Sequence, residues 1–152
     1  MRIRAGIILI QDDKVALIER HRSGLDYFVF PGGGVDEGES FEQAAAREAR
    51  EELGIEVAIK QKVIEIGDGP RVRQVYFLVE QIGGEFGTGT GEEFIEANRA
   101  DPRKGVYIPI WMPIADLARQ ANVFPTVVKD RVVRAVKEGW ASEPFVTCEV
   151  TG

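Results

Sequence analysis

The feature that most constrains the fold of this chain is a glycine-rich break between a strand-forming run and a well-capped helix. The run 27–30 favours a strand and stops at Pro31, which has no backbone N–H to donate to a sheet. Glycines then follow at Gly32, Gly33, Gly34 and Gly38. Ser40 is suited to cap a helix, and Gln43, three positions later, completes a capping box. We therefore predict that the chain turns sharply out of a strand and enters a helix that ends just before Gly54.

The rest of the chain predicts more strands than helices. Apolar and β-branched patterns predict strands at 2–10, 15–19, 57–66, 72–80 and 106–112. Helical spacing predicts two further helices, at 113–120 and 125–138, the second with a core face of Val127, Val128, Val132, Val133 and Val136. Residues 81–104 show no period and predict a long loop. Because strands and helices do not alternate regularly, we predict an α+β fold with helices packed on the faces of a central sheet, formed by one domain over residues 1–152.

The charge of the chain restricts its partners. The 152 residues carry a formal net charge of −6, which argues against a protein that holds a long nucleic acid by neutralising its phosphates. A small phosphate ligand is not excluded, because a divalent cation can bridge protein carboxylates to phosphate oxygens. The single cysteine, Cys148, cannot form an intrachain disulfide, and no apolar run approaches the length of a membrane span. We therefore expect a cytoplasmic protein without a membrane partner.

Three glutamates on the capped helix are the first candidates for chemistry. Glu48, Glu51 and Glu52 are spaced i, i+3 and i+4, so they project from one face of an α-helix. Like charges in this arrangement repel one another, whereas a bound cation turns the repulsion into attraction, and clusters of oxygen ligands suit Mg²⁺ or Mn²⁺. Taken alone, such a cluster is more often a solvated helix face. The hypothesis of a metal site therefore depends on the neighbouring residues.

Two neighbours of the glutamates favour the metal hypothesis. The backbone of Gly32–Gly34 can approach a ligand closely and offer N–H donors, although the same glycines would suit a plain tight turn. Arg47 can form a fork with Glu39 that holds the loop against the helix, although the sequence is equally compatible with an ordinary surface arginine at this position. Together these residues predict a site for a phosphate-bearing ligand and a divalent cation.

The segment 33–55 resembles a known family motif. It reads Gly33, five residues, Glu39, seven residues, and then the run Arg47-Glu48-Ala49-Arg50-Glu51-Glu52-Leu53-Gly54-Ile55. This pattern is similar to the Nudix box of the MutT/Nudix hydrolases, with every fixed position present and a soft departure at Ala49, where a bulkier aliphatic residue is usual. The sequence Phe30-Pro31-Gly32-Gly33 before the box and the run 107–113 are also similar to family members. The resemblance therefore covers nearly the whole chain.

The resemblance implies a Nudix fold, which is an α/β/α sandwich around a central mixed β-sheet. It also implies a Mg²⁺-dependent hydrolase, with Mn²⁺ as a substitute, in which water attacks phosphorus in the diphosphate linkage of a nucleoside diphosphate joined to another moiety. By position, Glu51 and Glu52 match the principal metal ligands, and Glu48 matches a further ligand or the general base. Glu39 and Arg47 match a pair that orients these groups. The roles agree with the chemistry, because a metal lowers the pKa of bound water and a carboxylate accepts its proton.

Many family members place one more acidic residue in a downstream loop. Here Glu93 is our choice over the adjacent Glu92, although a solvated loop carboxylate would look the same in the sequence. The resulting catalytic set is Glu39, Arg47, Glu48, Glu52 and Glu93.

Substrate contacts are expected from the loop backbone and from two arginines. Arg20 and Arg22 follow a predicted strand and could clamp phosphate oxygens with their planar guanidinium groups, or they could be ordinary surface residues. His21, which lies between them, is expected to be a solvated loop residue. The predicted substrate-binding set is Arg20, Arg22, Gly32, Gly33 and Gly34. Aromatic residues near the strands are available for stacking on a base but more often belong to a core: Tyr27, Phe28 and Phe86.

Several functions remain open within this resemblance. The expected substrate is a small nucleotide, such as a nucleoside triphosphate (normal or oxidised), a nucleotide sugar or a dinucleoside polyphosphate. A catalytically silent Nudix-fold nucleotide sensor is disfavoured because all three glutamates of the helix are retained, and an isoprenoid diphosphate isomerase because the one cysteine lies near the C-terminus. An RNA 5′-end pyrophosphohydrolase is disfavoured by the acidic charge. Family members are often dimers, so a homodimer is also open.

Overall fold

The structure is a computed structural model, and it describes residues 3–68, 70–89 and 106–148. Its strands are β1 (Arg4–Gln11), β2 (Lys14–Arg22), β3 (Leu25–Val29), β4 (Gly32–Gly34), β5 (Ile55–Asp68), β6 (Arg71–Gly84), β7 (Val106–Pro113), β8 (Val123–Phe124) and β9 (Phe145–Cys148). Its helices are α1 (Phe41–Glu48), which continues directly into a π-helical turn (Ala49–Leu53), α2 (Ile114–Leu117) and α3 (Thr126–Glu138). None of the described helices is long and apolar enough to span a membrane.

The strands form a mixed sheet in two parts that meet at the β1–β2 hairpin, where Ile10 faces Val15. In one part, β1 is parallel to β6 and antiparallel to β4, while β5 pairs antiparallel with β6 and parallel with β9. In the other part, β2 lies between the antiparallel strands β3 and β7, and β8 pairs parallel with β3. The order places the loop between β3 and α1 beside the start of β1.

Two hydrophobic clusters cover opposite faces of the sheet. On β1, Ile7 and Leu9 belong to the cluster that also contains Ala44 and Ala45 of α1. Ile8, which points the other way on the same strand, belongs to the cluster that contains residues of α2 and α3. Helices therefore pack on both faces of a mixed sheet, and the predicted α+β fold with α/β/α layers is confirmed.

The structure differs from the sequence-based elements where segments are short or rich in glycine. The strands β4, β8 and β9 were not predicted, because three glycines, a dipeptide and an edge segment give no alternating pattern. The predicted helix over 113–120 is the four-residue helix α2. On α3, Val128 and Val132 are buried as expected, but Val136 is 48% exposed and Ala135 takes the next inward position. The helix that carries the glutamates is not α-helical to its end, since it changes to a π-helical turn at Ala49.

Candidate active site

The start of α1 has the predicted capping box. The Oγ of Ser40 accepts a hydrogen bond from the backbone N–H of Gln43 at 3.0 Å, and the Oε1 of Gln43 accepts from the backbone N–H of Ser40 at 2.8 Å. These reciprocal bonds satisfy two donors that the first helical turn leaves open. They fix where the helix begins and hence where its glutamates lie relative to the glycine-rich strand β4.

The end of this helix is a wider turn than the sequence predicts. The turn Ala49–Leu53 is π-helical and is closed by Gly54, which has a left-handed φ of 76° and donates to the carbonyl of Arg50 at 3.1 Å. Single π turns within α-helices are rare and are frequent at functional sites. We refer to residues 48–53 as the carboxylate turn. The segment from Ala49 to Leu53 is therefore a π turn and not the α-helix that we predicted.

The carboxylate turn buries two of its three glutamates. Glu48 and Glu52 are 8% and 9% exposed, whereas the side chain of Glu51 is 41% exposed. A solvated helix face would leave all three in water, so that alternative does not describe Glu48 and Glu52. Burying a carboxylate is unfavourable unless hydrogen bonds or cations compensate it, and both buried groups have such partners close by.

The glycines of β4 lie directly against the two buried carboxylates. The backbone N–H of Gly32 donates to the Oε2 of Glu52 at 3.0 Å. A Cβ built on Gly33 would lie 2.6 Å from the Cδ of Glu48 and 2.9 Å from its Oε2, so no larger residue fits without displacing that carboxylate. The N–H of Gly32, which we expected to face a ligand, is therefore used by the chain itself, and the close approach at Gly33 is to Glu48.

Arg47 links the loop, the strand and the carboxylate turn. Its guanidinium forms the predicted fork with Glu39, through Nε to Oε2 at 2.8 Å and Nη2 to Oε1 at 3.0 Å. The same group donates to the carbonyl of Gly34 at 2.8 Å, to Glu48 Oε1 at 2.9 Å and to Glu51 Oε2 at 3.0 Å. The hydrogen bonds from Arg47 lower the pKa of Glu39 from 4.5 to about 2, and the pKa of Arg47 is raised chiefly by the same pairing. One cation thus neutralises part of the acidic cluster and holds the loop to the helix.

The chemistry of this donor set fits a hard divalent cation. Glu48, Glu51 and Glu52 offer carboxylate oxygens, which are the ligands that Mg²⁺ and Mn²⁺ prefer. Within residues 3–68, 70–89 and 106–148, no group of three acidic, histidine or cysteine side chains already converges in a metal-binding arrangement. Arg47 draws one oxygen each of Glu48 and Glu51 towards itself. Since each carboxylate has two oxygens that can accept, these bonds are compatible with metal coordination by the same residues.

The predicted downstream acid, Glu93, lies outside the described residues, as does Glu92. The chain that leads towards them packs on the end of the carboxylate turn. The N–H of Gly87 donates to the carbonyl of Leu53 at 2.9 Å, and a Cβ on Gly89 would come within 2.8 Å of the carbonyl oxygen of Glu52. Gly89, the last described residue before Glu93, is therefore in contact with the backbone of the carboxylate turn.

The two arginines that we predicted to contact the substrate, Arg20 and Arg22, both lie on β2. Arg20 is only 9% exposed, and its guanidinium carbon is 3.6 Å from the ring centroid of Tyr107 and 5.6 Å from that of Tyr27. Arg22 is exposed at the end of the same strand. Arg20 is thus stacked among aromatic rings rather than being an ordinary surface residue.

His21 is a strand residue and not the loop residue that we expected, although its side chain is 40% exposed. It lies within β2, where its Nδ1 is 2.6 Å from Oδ1 of Asp26 and its Nε2 is 2.8 Å from Oε2 of Glu19. These carboxylates raise the pKa of His21 above 6.5, with the hydrogen bond to Asp26 as the largest cause. Both ring nitrogens can donate only in the imidazolium form, so the two partners favour the protonated ring.

The structure also groups residues that sequence reasoning did not connect. Phe124 of β8 contacts Tyr27 edge to face at 6.2 Å, and Phe86 stacks on Trp111 at 4.5 Å. Leu25 and Tyr27 are two positions apart on β3, with Asp26 between them, so the sequence itself places them on one face of the strand. Phe124 lies in a two-residue strand, and no local pattern could have placed it beside Tyr27.

Comparisons with known proteins agree with this architecture. A family model described as NUDIX domain matches residues 1–131. An RNA pyrophosphohydrolase of Caulobacter vibrioides is 48% identical over 56 residues, which are 36% of this chain and 33% of that protein. An ADP-ribose pyrophosphatase of Methanocaldococcus jannaschii is 32% identical over 101 residues, or 60% of this chain and 59% of that protein. The matches therefore span about a third of the first relative and well under two thirds of the second.

A solved structure shows the same fold over the whole chain. The crystal structure of an ADP-ribose pyrophosphatase from Streptococcus suis superposes with a TM-score of 0.65, covering 97% of this chain and 98% of that one. The sequence identity in this superposition is 15%, so the likeness concerns the fold.

Proposed function

This chain belongs to the Nudix family, and from that premise we propose that it is a hydrolase that uses a divalent cation to cleave the diphosphate linkage of a small nucleotide. The observation that carries the proposal is the pair of buried carboxylates, Glu48 and Glu52, held against the glycine backbone of β4. A purely structural helix would not bury two glutamates next to a third, because the cost of removing charges from water is large. Arg47 and the N–H of Gly32 each satisfy one oxygen of these carboxylates, and a bound cation would offset the charge that remains.

In this proposal Glu48, Glu51 and Glu52 hold Mg²⁺ or Mn²⁺. When bound, the cation polarises the phosphoryl oxygens and lowers the pKa of the attacking water. One of the carboxylates Glu48, Glu52 and Glu93 accepts the proton of that water. Arg47, with Glu39 as its partner, keeps Glu48 and Glu51 in place, because a guanidinium that bonds several groups at once fixes their relative positions.

Glu93 is proposed as a catalytic residue on the basis of where the chain leads. It follows Gly89 by four residues, a stretch that reaches at most about 14 Å when fully extended. Because Gly89 contacts the backbone of Glu52, that reach includes the buried carboxylates.

Phosphate contacts are proposed for Arg22, and close backbone approach for Gly32, Gly33 and Gly34. Arg22 is an exposed cation at the end of β2, and a planar guanidinium suits phosphate oxygens. Arg20 is proposed to act near the substrate through its positive charge, because its guanidinium is buried against the ring of Tyr107 on the same strand as Arg22.

The test is turnover of a nucleotide panel with Mg²⁺ by the wild type and by Glu52→Gln. The panel contains normal and oxidised nucleoside triphosphates, ADP-ribose, nucleotide sugars and diadenosine polyphosphates. Glu52→Gln removes one buried anionic oxygen donor, and we expect kcat/KM for the best substrate to fall at least about 100-fold. The matched control is Glu42→Gln, an exposed glutamate in the first turn of α1, which should stay within a few-fold of wild type. Equal turnover by wild type and Glu52→Gln would contradict the proposal.

Triphosphorylated RNA ends form a second candidate substrate class. The relative from Caulobacter vibrioides that is called an RNA pyrophosphohydrolase is 48% identical over the segment it shares with this chain. The net charge of −6 disfavours a long RNA, so we rank small nucleotides first. Pyrophosphate release from a short 5′-triphosphate RNA, measured beside the panel, separates the two classes. No turnover of either class, with cation binding retained, would favour a nucleotide sensor.

A further inference from the structure

A cavity lies at the end of β2 and β3, away from the buried carboxylates. It has a volume of about 480 Å³ and is lined by Arg22, Ser23, Leu25, Tyr27 and Phe124. We call these five residues the aromatic shelf. Leu25 is 67% exposed and Phe124 is 44% exposed, although both are large apolar residues. Exposed apolar residues grouped around a cavity indicate a surface that a ligand or a partner covers.

The shelf faces the side of the sheet on which α1 packs. Tyr27 lies opposite Arg20 in the β2–β3 pair, and Arg20 is two residues from Ile18, which belongs to the cluster with α1. Alternate residues of a strand share a face, so Tyr27 and Arg20 lie on that same side. Phe124 lies opposite Val29, which packs against the same cluster. The carboxylate turn and the shelf are therefore on one side of the sheet.

The length of chain between the two regions limits how far apart they lie. Tyr27 precedes Gly32 by five residues along an extended segment, which bounds their separation at about 17 Å. The N–H of Gly32 holds the carboxylate of Glu52. A nucleotide whose diphosphate lies at Glu52 therefore has the shelf within this bound.

The shelf combines aromatic faces with positive charge. The rings of Tyr27 and Phe124 meet edge to face at 71°, and both residues line the cavity. The guanidinium carbon of Arg20 is 5.6 Å from the ring centroid of Tyr27 and 3.6 Å from that of Tyr107, and Arg22 lines the cavity. An apolar, aromatic surface bordered by arginine suits a flat ring system that carries hydrogen-bond acceptors.

We propose that the aromatic shelf binds the nucleobase of the substrate, with the base stacked on Phe124 and Tyr27. The proposal rests on the proposed function, because it assumes that the diphosphate lies at the carboxylate turn. It assigns base recognition to β3 and β8, and it makes Tyr27 and Phe124 the residues on which base affinity depends. The other groups that could cover an apolar surface, such as a second copy of the chain, are outcomes of the test.

The test measures base affinity without turnover. Isothermal titration calorimetry without divalent cations compares AMP, GMP, CMP and UMP with ribose 5-phosphate, which has the same phosphate and no base. We expect at least one nucleotide to bind about tenfold more tightly than ribose 5-phosphate. That advantage should be lost in Phe124→Leu and Tyr27→Leu, which keep apolar volume but remove the ring. A third variant, Leu25→Ala, removes an exposed apolar side chain from the shelf. Its matched control is Ile82→Ala, because Leu25 and Ile82 are 67% and 66% exposed.

Kinetics provide a second measurement on the same variants. Loss of stacking should raise KM for the best substrate about tenfold while kcat changes little, because the base interaction is the same in ground state and transition state. Ribose 5-phosphate binding as tightly as every nucleotide would overturn the inference, as would unchanged affinity and KM in both ring variants. A wild type that dimerises through the shelf, with Leu25→Ala monomeric, would also overturn it. Because the calorimetry needs no turnover, failure of the proposed hydrolase activity would leave its result unchanged.

Discussion

The carboxylate turn and the aromatic shelf differ in how their side chains are held. In the carboxylate turn, the buried glutamates are fixed by hydrogen bonds from Arg47 and from the N–H of Gly32, all at 2.9 to 3.0 Å. In the shelf, Leu25 and Phe124 are 67% and 44% exposed, and they are held by strand pairing and a ring contact. Chemistry at a reacting atom needs positions fixed to a fraction of an ångström, and an interlocked ionic network supplies that precision. A recognition surface needs a complementary face, and its details can be looser.

The largest expected effect on activity is at Gly33, in the strand that packs against the carboxylate turn. In Gly33→Ala the new Cβ would lie 2.6 Å from the Cδ of Glu48, so the carboxylate must leave its position. We expect Mg²⁺-dependent kcat/KM to fall at least about 100-fold, with nucleoside monophosphate binding at the shelf retained. Steady-state kinetics and calorimetry on one preparation measure both.

The matched control is Gly83→Ala on β6, where a Cβ would come no closer than 3.7 Å to Glu56. It should remain close to wild type in both measurements. Full activity of Gly33→Ala would mean that the position of Glu48 is not critical.

A smaller effect is expected at Arg47. Lysine in Arg47→Lys keeps the charge but cannot make the fork to Glu39 while also reaching the carbonyl of Gly34. We expect kcat/KM to fall about 10- to 100-fold, as for other residues that orient metal ligands. Arg50→Lys is the control, because the side chain of Arg50 is half exposed and pairs at 3.4 Å with the exposed Glu56. Equal losses of kcat/KM in both variants would show that the fork between Arg47 and Glu39 is not needed to orient the carboxylates.

The smallest effect concerns the β2–β3 hairpin that carries the shelf. His21 bonds Asp26 across this hairpin, and that bond raises the pKa of His21 above 6.5. The stabilisation from this bond is fully present below about pH 6.5 and is lost as pH rises through the folded-state pKa of His21. Because the chain has one histidine, its ring resonances in an NMR titration report this pKa directly.

In that titration, Asp26→Asn should bring the pKa of His21 down towards 6.5, whereas Asp130→Asn on α3 should leave it unchanged. An unshifted titration in Asp26→Asn would mean that the pair does not form in solution. Turnover per site should respond to neither change, since both lie outside the carboxylate turn.

Local sequence was enough to predict much of the first region. Ser40 and Gln43 predicted the start of α1, and the contact between Arg47 and Glu39 follows from their positions in one loop and helix. The roles of Glu48, Glu51 and Glu52 as ligands, and those of Glu93, Arg20 and Arg22, stay predictions. The prediction that was wrong at this end is the α-helix over 49–53, which is a π-helical turn.

The sequence by itself determined the α+β class, the capped helix, its glycine end and the family, because each depends on residues a few positions apart. Tertiary structure decided which glutamates are buried, what the N–H of Gly32 bonds, and that Phe124 lies beside Tyr27. The physical reason is distance along the chain. Capping, periodicity and turns are local interactions that a sequence displays, whereas burial and cross-strand contacts depend on a register that forms only when remote segments pair.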